Sequence, residues 1–381
     1  MKVAFIPSTF LPYVGGAETQ THNVANCITE KGINIDIYVL KNTEMKNSNY
    51  NIINLNYFLI SFIFITRYYL NIKLDFLLKL YFNNIQKKKK YDIWHFHSVN
   101  YKTLIYVNVL KSLNQKVIIT FQGADIQIDE KISYGYRLDK KYDSFLKSTI
   151  KKVNLFHAIS KSIKNELIKL GADENKILII PNCSFLKKIE SIPKENNSKE
   201  ITLLTIGRYA IKKKGFDLIE KISKNLNKIA DFKWIIIGRG TSSLLGEQFI
   251  KENLDKFEIV EEIKNLEEKY FPHSDLIRYY KKSDVYINLS RVEGCPIVLL
   301  DALSSKIPIV SFNTLGGDEI VLNNINGYLV NEDNFGLFAK KIIDTKNLDF
   351  EKNLNEINKK VHFYDLEHNS QKIISSYRGL L

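Results

Sequence analysis

Two carboxylates stand eight positions apart in the run Arg291-Val-Glu-Gly-Cys-Pro-Ile-Val-Leu-Leu-Asp301. Gly294, Cys295 and Pro296 follow Glu293 directly, which places that carboxylate on a tight turn. Pro296 suits the first turn of a helix. Ile297 to Leu303 continues as an apolar helical run, from which Asp301 emerges about a turn and a half later. The unsatisfied backbone N–H groups at such a helix start form an anion site between the two acids. Carboxylates bind hydroxyls and an anion hole binds phosphate, so this constellation suits a ligand such as a nucleotide sugar.

A second group of residues adds positive charge. In Thr205-Ile-Gly-Arg-Tyr-Ala-Ile-Lys-Lys-Lys-Gly-Phe-Asp217 an apolar strand ends, glycine permits a sharp turn, and Arg208 emerges at the strand's carboxyl end. A basic loop follows, and Gly215 precedes a helix. The planar fork of Arg208 and the compact charge of a lysine could together neutralise a diphosphate. Nearer the amino end, Val14-Gly-Gly-Ala-Glu18 follows the first strand, where glycines let backbone approach a phosphate closely. There is no Gly-x-Gly-x-x-Gly and no Walker loop, which counts against a dinucleotide fingerprint or an NTPase.

Four further polar residues stand at or just beyond strand ends. His95 and His97 face the same side of the strand Asp92-Ile-Trp-His-Phe-His97. No third metal ligand is evident near them, so His95 reads as a structural histidine, and His97 as either that or a substrate contact. Thr120-Phe-Gln-Gly-Ala-Asp125 leaves another strand. Gln122 and Asp125 could meet sugar hydroxyls or an acceptor, or Asp125 could simply stabilise the turn. No Asp-x-Asp occurs, so no carboxylate clamp for a divalent metal is visible.

These residues need a framework that presents strand ends. Short apolar runs (Val3 to Pro7, Ile35 to Leu40, Asp92 to Phe96, Val117 to Phe121, Leu155 to Ile159, Ile177 to Ile180) alternate with helical stretches. A lysine-rich polar stretch from Lys187 to Glu200 reads as a linker. A second series follows: Thr202 to Ile206, Trp234 to Ile237, Val285 to Leu289 and Ile309 to Ser311. The alternation predicts α/β architecture, with two doubly wound parallel-sheet domains at about residues 1–185 and 200–365. Facing one another, they would leave a cleft at the carboxyl ends of their strands.

The 381 residues suffice for two domains, and 45% hydrophobic content is ordinary for a globular protein. No stretch reaches the roughly 18 consecutive apolar residues of a membrane span. The start, Met1-Lys-Val-Ala-Phe-Ile-Pro7, runs into the glycine loop without a cleavage site and reads as a buried strand, not a signal peptide. Three scattered cysteines without a Cys-x-x-Cys fit a reducing cytosol without a disulfide framework or zinc site. The formal charge of +13 belongs either to solvated lysine faces or to an anionic membrane surface. Nothing resembles a nucleic-acid module. The segment from Tyr50 to Lys90 is aromatic, apolar and edged with lysine. It reads either as helices packed on the first sheet or as an element that dips among anionic headgroups.

Taken together, these stretches resemble the retaining glycosyltransferases of family 4, which have the GT-B fold of two facing Rossmann-like domains. Val14 to Glu18 resembles that family's amino-terminal Gly-Gly loop, and Ile206 to Phe216 its Gly-Arg…Lys-Gly loop. Arg291 to Asp301 resembles its Glu-x7-Glu element. Thr314-Leu-Gly-Gly-Asp-Glu-Ile-Val321 and Asn326-Gly-Tyr-Leu-Val330 resemble the segments that follow.

The resemblance implies transfer of a sugar from a nucleotide diphosphate sugar to a hydroxyl of a glycan or lipid-linked acceptor. The work would be retaining, metal-independent and cofactor-free, in cell-surface polysaccharide or glycoconjugate synthesis, at the cytoplasmic face of the membrane. Arg208 and Lys214 would bind the diphosphate and Gly16 would approach it. Glu293, on the turn with Gly294 and Cys295, would hold the sugar, and with Arg208 and Lys214 forms the catalytic set. The amides of Ile297 and Val298 would help, Asp301 would hold the ribose, and His97, Gln122 and Asp125 would face sugar or acceptor. A final helix, about 370–381, would return to the first domain. Two positions depart from the family pattern. Asp301 stands where glutamate is usual and is shorter by one methylene, roughly 1.5 Å. Gln122 stands where many members have a histidine, and it cannot carry a proton. A non-catalytic partner protein or a nucleotide-sugar epimerase of the same fold are the alternatives.

Overall fold

A computed structural model describes residues 1–40, 47–193, 200–263 and 267–381. Residues Met1–Pro181 with Asn369–Leu381 form one compact unit, and Asn182–His368 form the other.

The first unit is built on seven parallel strands: β1 (Lys2–Pro7), β2 (Asn34–Val39), β3 (Asn51–Asn54), β4 (Ile93–His97), β5 (Val117–Phe121), β6 (Leu155–Ala158) and β7 (Ile177–Ile179). Their order is β3-β2-β1-β4-β5-β6-β7. Central strands of a parallel sheet are covered on both faces, which is why β1, β4 and β5 read as near-continuous apolar runs. Residues 3–6, 93–97 and 117–121 are buried throughout. The order reverses between β1 and β4, so the loops leaving those two strands splay apart and open a crevice at their carboxyl ends.

The second unit repeats the plan with β8 (Ile201–Ile206), β9 (Phe232–Ile237), β10 (Phe257–Val260), β11 (Val285–Asn288), β12 (Ile309–Phe312) and β13 (Gly327–Val330). All are parallel, in the order β10-β9-β8-β11-β12-β13. Leu203, Trp234, Ile236, Ile287 and Val310 meet in its core with Phe216, Ile222 and Phe338 from the covering helices. Each such side chain withdrawn from water stabilises the unit by roughly 1.5–3 kcal/mol. Here the order reverses between β8 and β11, which sets the loops after Ile206 and after Asn288 beside each other.

Three strands, β3, β10 and β13, were not among the sequence-based expectations, and all three are sheet edges. β3 is covered less completely, so its residues need not be apolar: it reads Asn51-Ile-Ile-Asn54 and none of them is fully buried, whereas β13 is short but largely buried. The lysine-rich stretch expected as a linker is resolved differently. The division between units falls at Pro181, Leu186–Glu190 is a short helix of the second unit, and residues 194–199 lie outside the described residues. The three cysteines are buried thiols and form no disulfide.

The C-terminal helix Leu366–Leu380 gives its residues from Asn369 onward to the first unit. There Tyr377 bonds through its hydroxyl to Nδ1 of His95 at 2.7 Å, and Ser376 to Nε2 of His157 at 3.0 Å.

Candidate donor site at the second switch point

The loop after β8 and the turn after β11 are held together by a residue that touches both. Arg291 donates to both carboxylate oxygens of Asp217, at 2.8 and 3.0 Å, and to the Lys212 carbonyl at 2.6 Å. Its backbone N–H donates to the Lys213 carbonyl at 2.9 Å. This fork matches a carboxylate geometrically, a match that lysine could not make. Gly215 completes the seam. Its φ is +68°, and a Cβ there would stand 2.1 Å from the carbonyl oxygen of Leu289.

Against this seam the cations gather. Lys214 Nζ lies 2.7 Å from Glu293 Oε1, and both side chains are largely shielded from water. Burial alone would raise the Glu293 carboxyl. The charges of Lys214 and Lys213, with hydrogen bonds from Lys214 and Ser290, outweigh it and hold the group below the ordinary glutamate value. Lys213 is itself pushed down to about 8, chiefly by desolvation and further by the like charges of Lys214 and Arg208, while Glu293 opposes the shift. Arg208 is exposed, and no protein acceptor among the described residues engages its guanidinium. Three cations and one carboxylate thus meet where two loops leave adjacent strands, a cluster able to take up further negative charge.

The helix after the turn is Ile297–Ser304, with Pro296 as its N-cap in extended conformation (φ −73°, ψ 115°). The proline therefore sits one residue outside the expected first turn. Its fixed φ suits either place, and it has no N–H to leave unpaired. The first intrahelical bond runs from Leu299 N–H to the Pro296 carbonyl at 3.0 Å, which leaves the amides of Ile297 and Val298 ahead of the ladder. Behind the turn, Gly316 (φ +91°) passes so close that a Cβ would stand 2.2 Å from the carbonyl oxygen of Gly294. The Cys295 carbonyl accepts from Asn182 Nδ2 at 3.0 Å, and the Cys295 thiol is raised well above its ordinary value by burial.

Asp301 lies within that helix and is buried. Its Oδ1 accepts the hydroxyl of Ser184 at 2.7 Å. Burial raises its carboxyl to about 7, opposed by the Ser184 bond and the charge of Lys188. Ser184 in turn exchanges backbone bonds with Tyr364 and Leu366, both at 3.0 Å. The second acid of the pair is thus tied to the two chain segments at the borders of its unit, a connection that eight-residue spacing does not reveal.

In the first unit Gly16 is the exposed first residue of the helix Gly16–Glu30, capped by extended Gly15. His97 closes β4 and is buried beside Phe5, ring centroids 4.3 Å apart. Neither of its ring nitrogens has a hydrogen-bond partner among the described residues. Burial, and then the neighbouring His157, depress it to about 3. His95, by contrast, is satisfied at both nitrogens, by Tyr377 and by Thr120 at 2.8 Å, as a structural histidine is. Asp125 is buried and accepts the amides of Gln122, Gly123 and Val99 at 3.0, 2.8 and 3.2 Å. Burial raises it to about 6 against those bonds and one from Ser98. Its oxygens knit the turn on which half-buried Gln122 stands.

Two sequence-family models match almost end to end: Glycosyltransferase Family 4 over residues 14–183 and Glycosyl transferases group 1 over residues 187–361. The chain belongs to the family 4 glycosyltransferases of GT-B fold. A relative from Haemophilus influenzae described as an uncharacterized glycosyltransferase is 26% identical over 380 residues, 96% of each chain. The Escherichia coli UDP-Gal:alpha-D-GlcNAc-diphosphoundecaprenol alpha-1,3-galactosyltransferase is 26% identical over 281 residues, 70% of this chain and 69% of that one. The crystal structure of a glycosyltransferase from Rickettsia africae superposes with a TM-score of 0.75 at 20% identity, covering 100% of this chain and 98% of that one, a likeness of fold.

For this glycosyltransferase, sequence reasoning overlooked Arg291, Lys213 and Ser184. Arg291 could have been noticed as a lone arginine two residues before the acid on the turn. Ser184 carried no local signal, because its partner lies 117 positions away.

Proposed function

We propose that the chain transfers a sugar from a nucleotide diphosphate sugar to a hydroxyl of a glycan or lipid-linked acceptor during polysaccharide or glycoconjugate synthesis, with retention at the anomeric carbon. The observation that carries this reading is the meeting of Arg208, Lys213 and Lys214 with Glu293 at the switch point of the second sheet. The family and the named activity of the Escherichia coli relative support it.

In this reading the diphosphate lies against Arg208, Lys214 and the first amides of the helix Ile297–Ser304. Lys214 exchanges its Glu293 partner for phosphate oxygen, and Glu293 turns to the sugar hydroxyls. Gly294 and Cys295 carry the backbone of that pocket, and Asp301 faces the ribose. As the bond from the anomeric carbon to the phosphate oxygen breaks, the cations stabilise the departing charge. One such preorganised donor is worth ~3–4 kcal/mol. The acceptor oxygen adds to the same face, and its proton passes to the departing phosphate oxygen. Glu293 then positions the sugar and forms no bond to it. His97 and Gln122 belong to the sugar and acceptor side, and Asp125 braces the turn that carries Gln122.

The test is a panel of nucleotide diphosphate sugars, assayed by release of the nucleotide diphosphate with a lipid-linked glycan extract as acceptor. One donor should release product only when the extract is present. Binding of no member of the panel, measured by calorimetry, would favour the non-catalytic partner instead. Acceptor-independent change of the sugar would favour an epimerase.

A further inference from the structure

The helix Tyr57–Leu70 contains no acidic residue and presents two unlike faces. One is anchored. Ile60, Ile63 and Thr66 are buried, Tyr68 stacks edge-on to Tyr101 at 5.0 Å and donates its hydroxyl to Asp139 at 2.6 Å, and the Arg67 guanidinium lies 4.7 Å from the Phe145 ring. The other face carries Phe58, Phe62, Ile65 and Tyr69, spaced by four, three and four positions. At 3.6 residues per turn these fall within a stripe of roughly 60°. All four are at least half exposed, Phe58 to 84%. The next helix, Asp75–Lys89, is joined to the first by an Arg67–Asp75 ion pair and adds exposed Phe76 and Leu80.

Exposed apolar side chains in a contiguous row mark an interaction site. The charges nearby say of what kind. From Tyr50 to Lys90 there are seven cations, Arg67, Lys73, Lys79 and Lys87 to Lys90, against Asp75 alone, so this segment holds +6 of the chain's +13. A second copy of so basic a surface would be repelled. An anionic lipid surface would be attracted, and phenylalanine and tyrosine beside lysines are the side chains that settle at headgroup depth. No helix among the described residues is long and apolar enough to cross a membrane, so contact would be peripheral.

We infer that Phe58, Phe62, Ile65 and Tyr69, flanked by the lysines of the Asp75–Lys89 helix and Lys90, form a docking face for the surface of an anionic lipid bilayer. The inference is independent of the donor assignment, because none of these residues belongs to the cation cluster. It does bear on the acceptor: a chain resting on lipid by this face meets lipid-linked substrates at the surface where they are concentrated.

The full chain is to be sedimented with vesicles of phosphatidylcholine alone and of phosphatidylcholine with phosphatidylglycerol. Binding should require phosphatidylglycerol and weaken as salt rises. Phe58→Ser with Phe62→Ser should lower the partition coefficient at least about tenfold. These positions are exposed, so thermal unfolding and nucleotide binding should be unchanged. Lys87→Gln through Lys90→Gln should abolish the preference for phosphatidylglycerol. A single Phe62→Trp variant should shift its fluorescence to the blue on mixing with the anionic vesicles. Equal recovery of the unaltered chain in the supernatant with both vesicles would overturn the inference. So would a dimer in solution that the double serine variant converts to monomer, since a second copy would then own the face.

Discussion

Lys214 Nζ and Glu293 Oε1 stand 2.7 Å apart, so the cation proposed for the diphosphate and the carboxylate proposed for the sugar neutralise one another within the site. A ligand must part them. Removing each partner should therefore have opposite effects on one measurement. Glu293→Gln frees Lys214 and leaves nucleoside diphosphate affinity equal or higher, while turnover with the intact donor falls on the order of a hundredfold, about 2.7 kcal/mol. Arg208→Ala with Lys214→Ala lowers nucleoside diphosphate affinity at least about tenfold, or ~1.4 kcal/mol. Calorimetry and steady-state kinetics read both. Undiminished affinity in the double variant would remove the diphosphate from these residues. Glu293 also carries a pH signature. Its folded value is depressed, so its contribution to stability is present above the unfolded glutamate value and is lost as pH falls through the folded one.

Asp301 has the reverse sign. Burial raises it to about 7 from 3.8. Between those values the folded chain keeps a proton that the unfolded chain has released, so stability falls as pH rises across that window and levels off above it. Asp301→Asn retains an oxygen for the Ser184 hydroxyl and removes the charge. Its stability relative to the unaltered chain should grow from pH 4 to 7 and reach a gain on the order of 1–3 kcal/mol at pH 8. Urea unfolding at several pH values gives the difference. Asp125, raised to about 6, tilts both curves alike and cancels. A constant difference across pH would show that Asp301 does not titrate in a buried setting. In the same variant, affinity for a nucleoside diphosphate should weaken while affinity for inorganic pyrophosphate should not, if the carboxylate faces the ribose.

A glycine behind the site, compared with one in open space, permits a test of backbone positioning. A Cβ on Gly316 would intrude on the Gly294 carbonyl, and Gly316 has φ +91°. Gly316→Ala should therefore displace the turn that carries Glu293 and reduce turnover at least about tenfold, with a stability loss of ~1–3 kcal/mol. Gly246 has open space around it and ordinary φ, so Gly246→Ala should leave stability within about 0.5 kcal/mol and activity intact. Thermal melts beside donor-dependent kinetics distinguish the two. A Gly316→Ala enzyme of full activity would mean that the turn tolerates the shift.

What was legible in the sequence were features written locally. Strands buried on both faces, such as Val117–Phe121, appear as near-continuous apolar runs because a polar side chain on a covered surface needs a partner, as Thr120 has in His95. The loops after β8 and β11 were recognisable because each joins a glycine to a charged residue at a strand end. Edge strands such as Asn51–Asn54 lacked that burial and hence that signal. Pairings across long separations, such as Ser184 with Asp301 and His95 with Tyr377, depend on how the elements pack, which residue spacing does not record. The aromatic segment from Tyr50 to Lys90 was open to two readings because a helix face packed on a sheet and one left exposed are composed alike. Tyr57–Leu70 has both.

His97 and His95 are neighbours in β4 with ring centroids 4.2 Å apart, yet their hydrogen bonding separates their roles. The Tyr377 hydroxyl satisfies a buried His95 nitrogen, so Tyr377→Phe strands that nitrogen and should cost ~1–3 kcal/mol, loosening the C-terminal helix from the first unit. Among the described residues His97 has no partner to strand. His97→Phe replaces an unsatisfied ring by an apolar one of similar shape and should be neutral or slightly stabilising. It also removes one of the histidines that stay neutral when folded. Because the folded value of about 3 lies below the ordinary histidine value of 6.5, the unfolded chain binds the extra proton as pH falls below 6.5, and His97 costs stability in acid. The His97→Phe chain should therefore gain on the unaltered one as pH falls from 6.5 towards 3. If His97 serves only as filling, activity follows stability and is unchanged. If its open nitrogens meet sugar or acceptor, KM for the acceptor or kcat changes at least about tenfold in a chain that is no less stable, an outcome that a purely structural histidine could not produce.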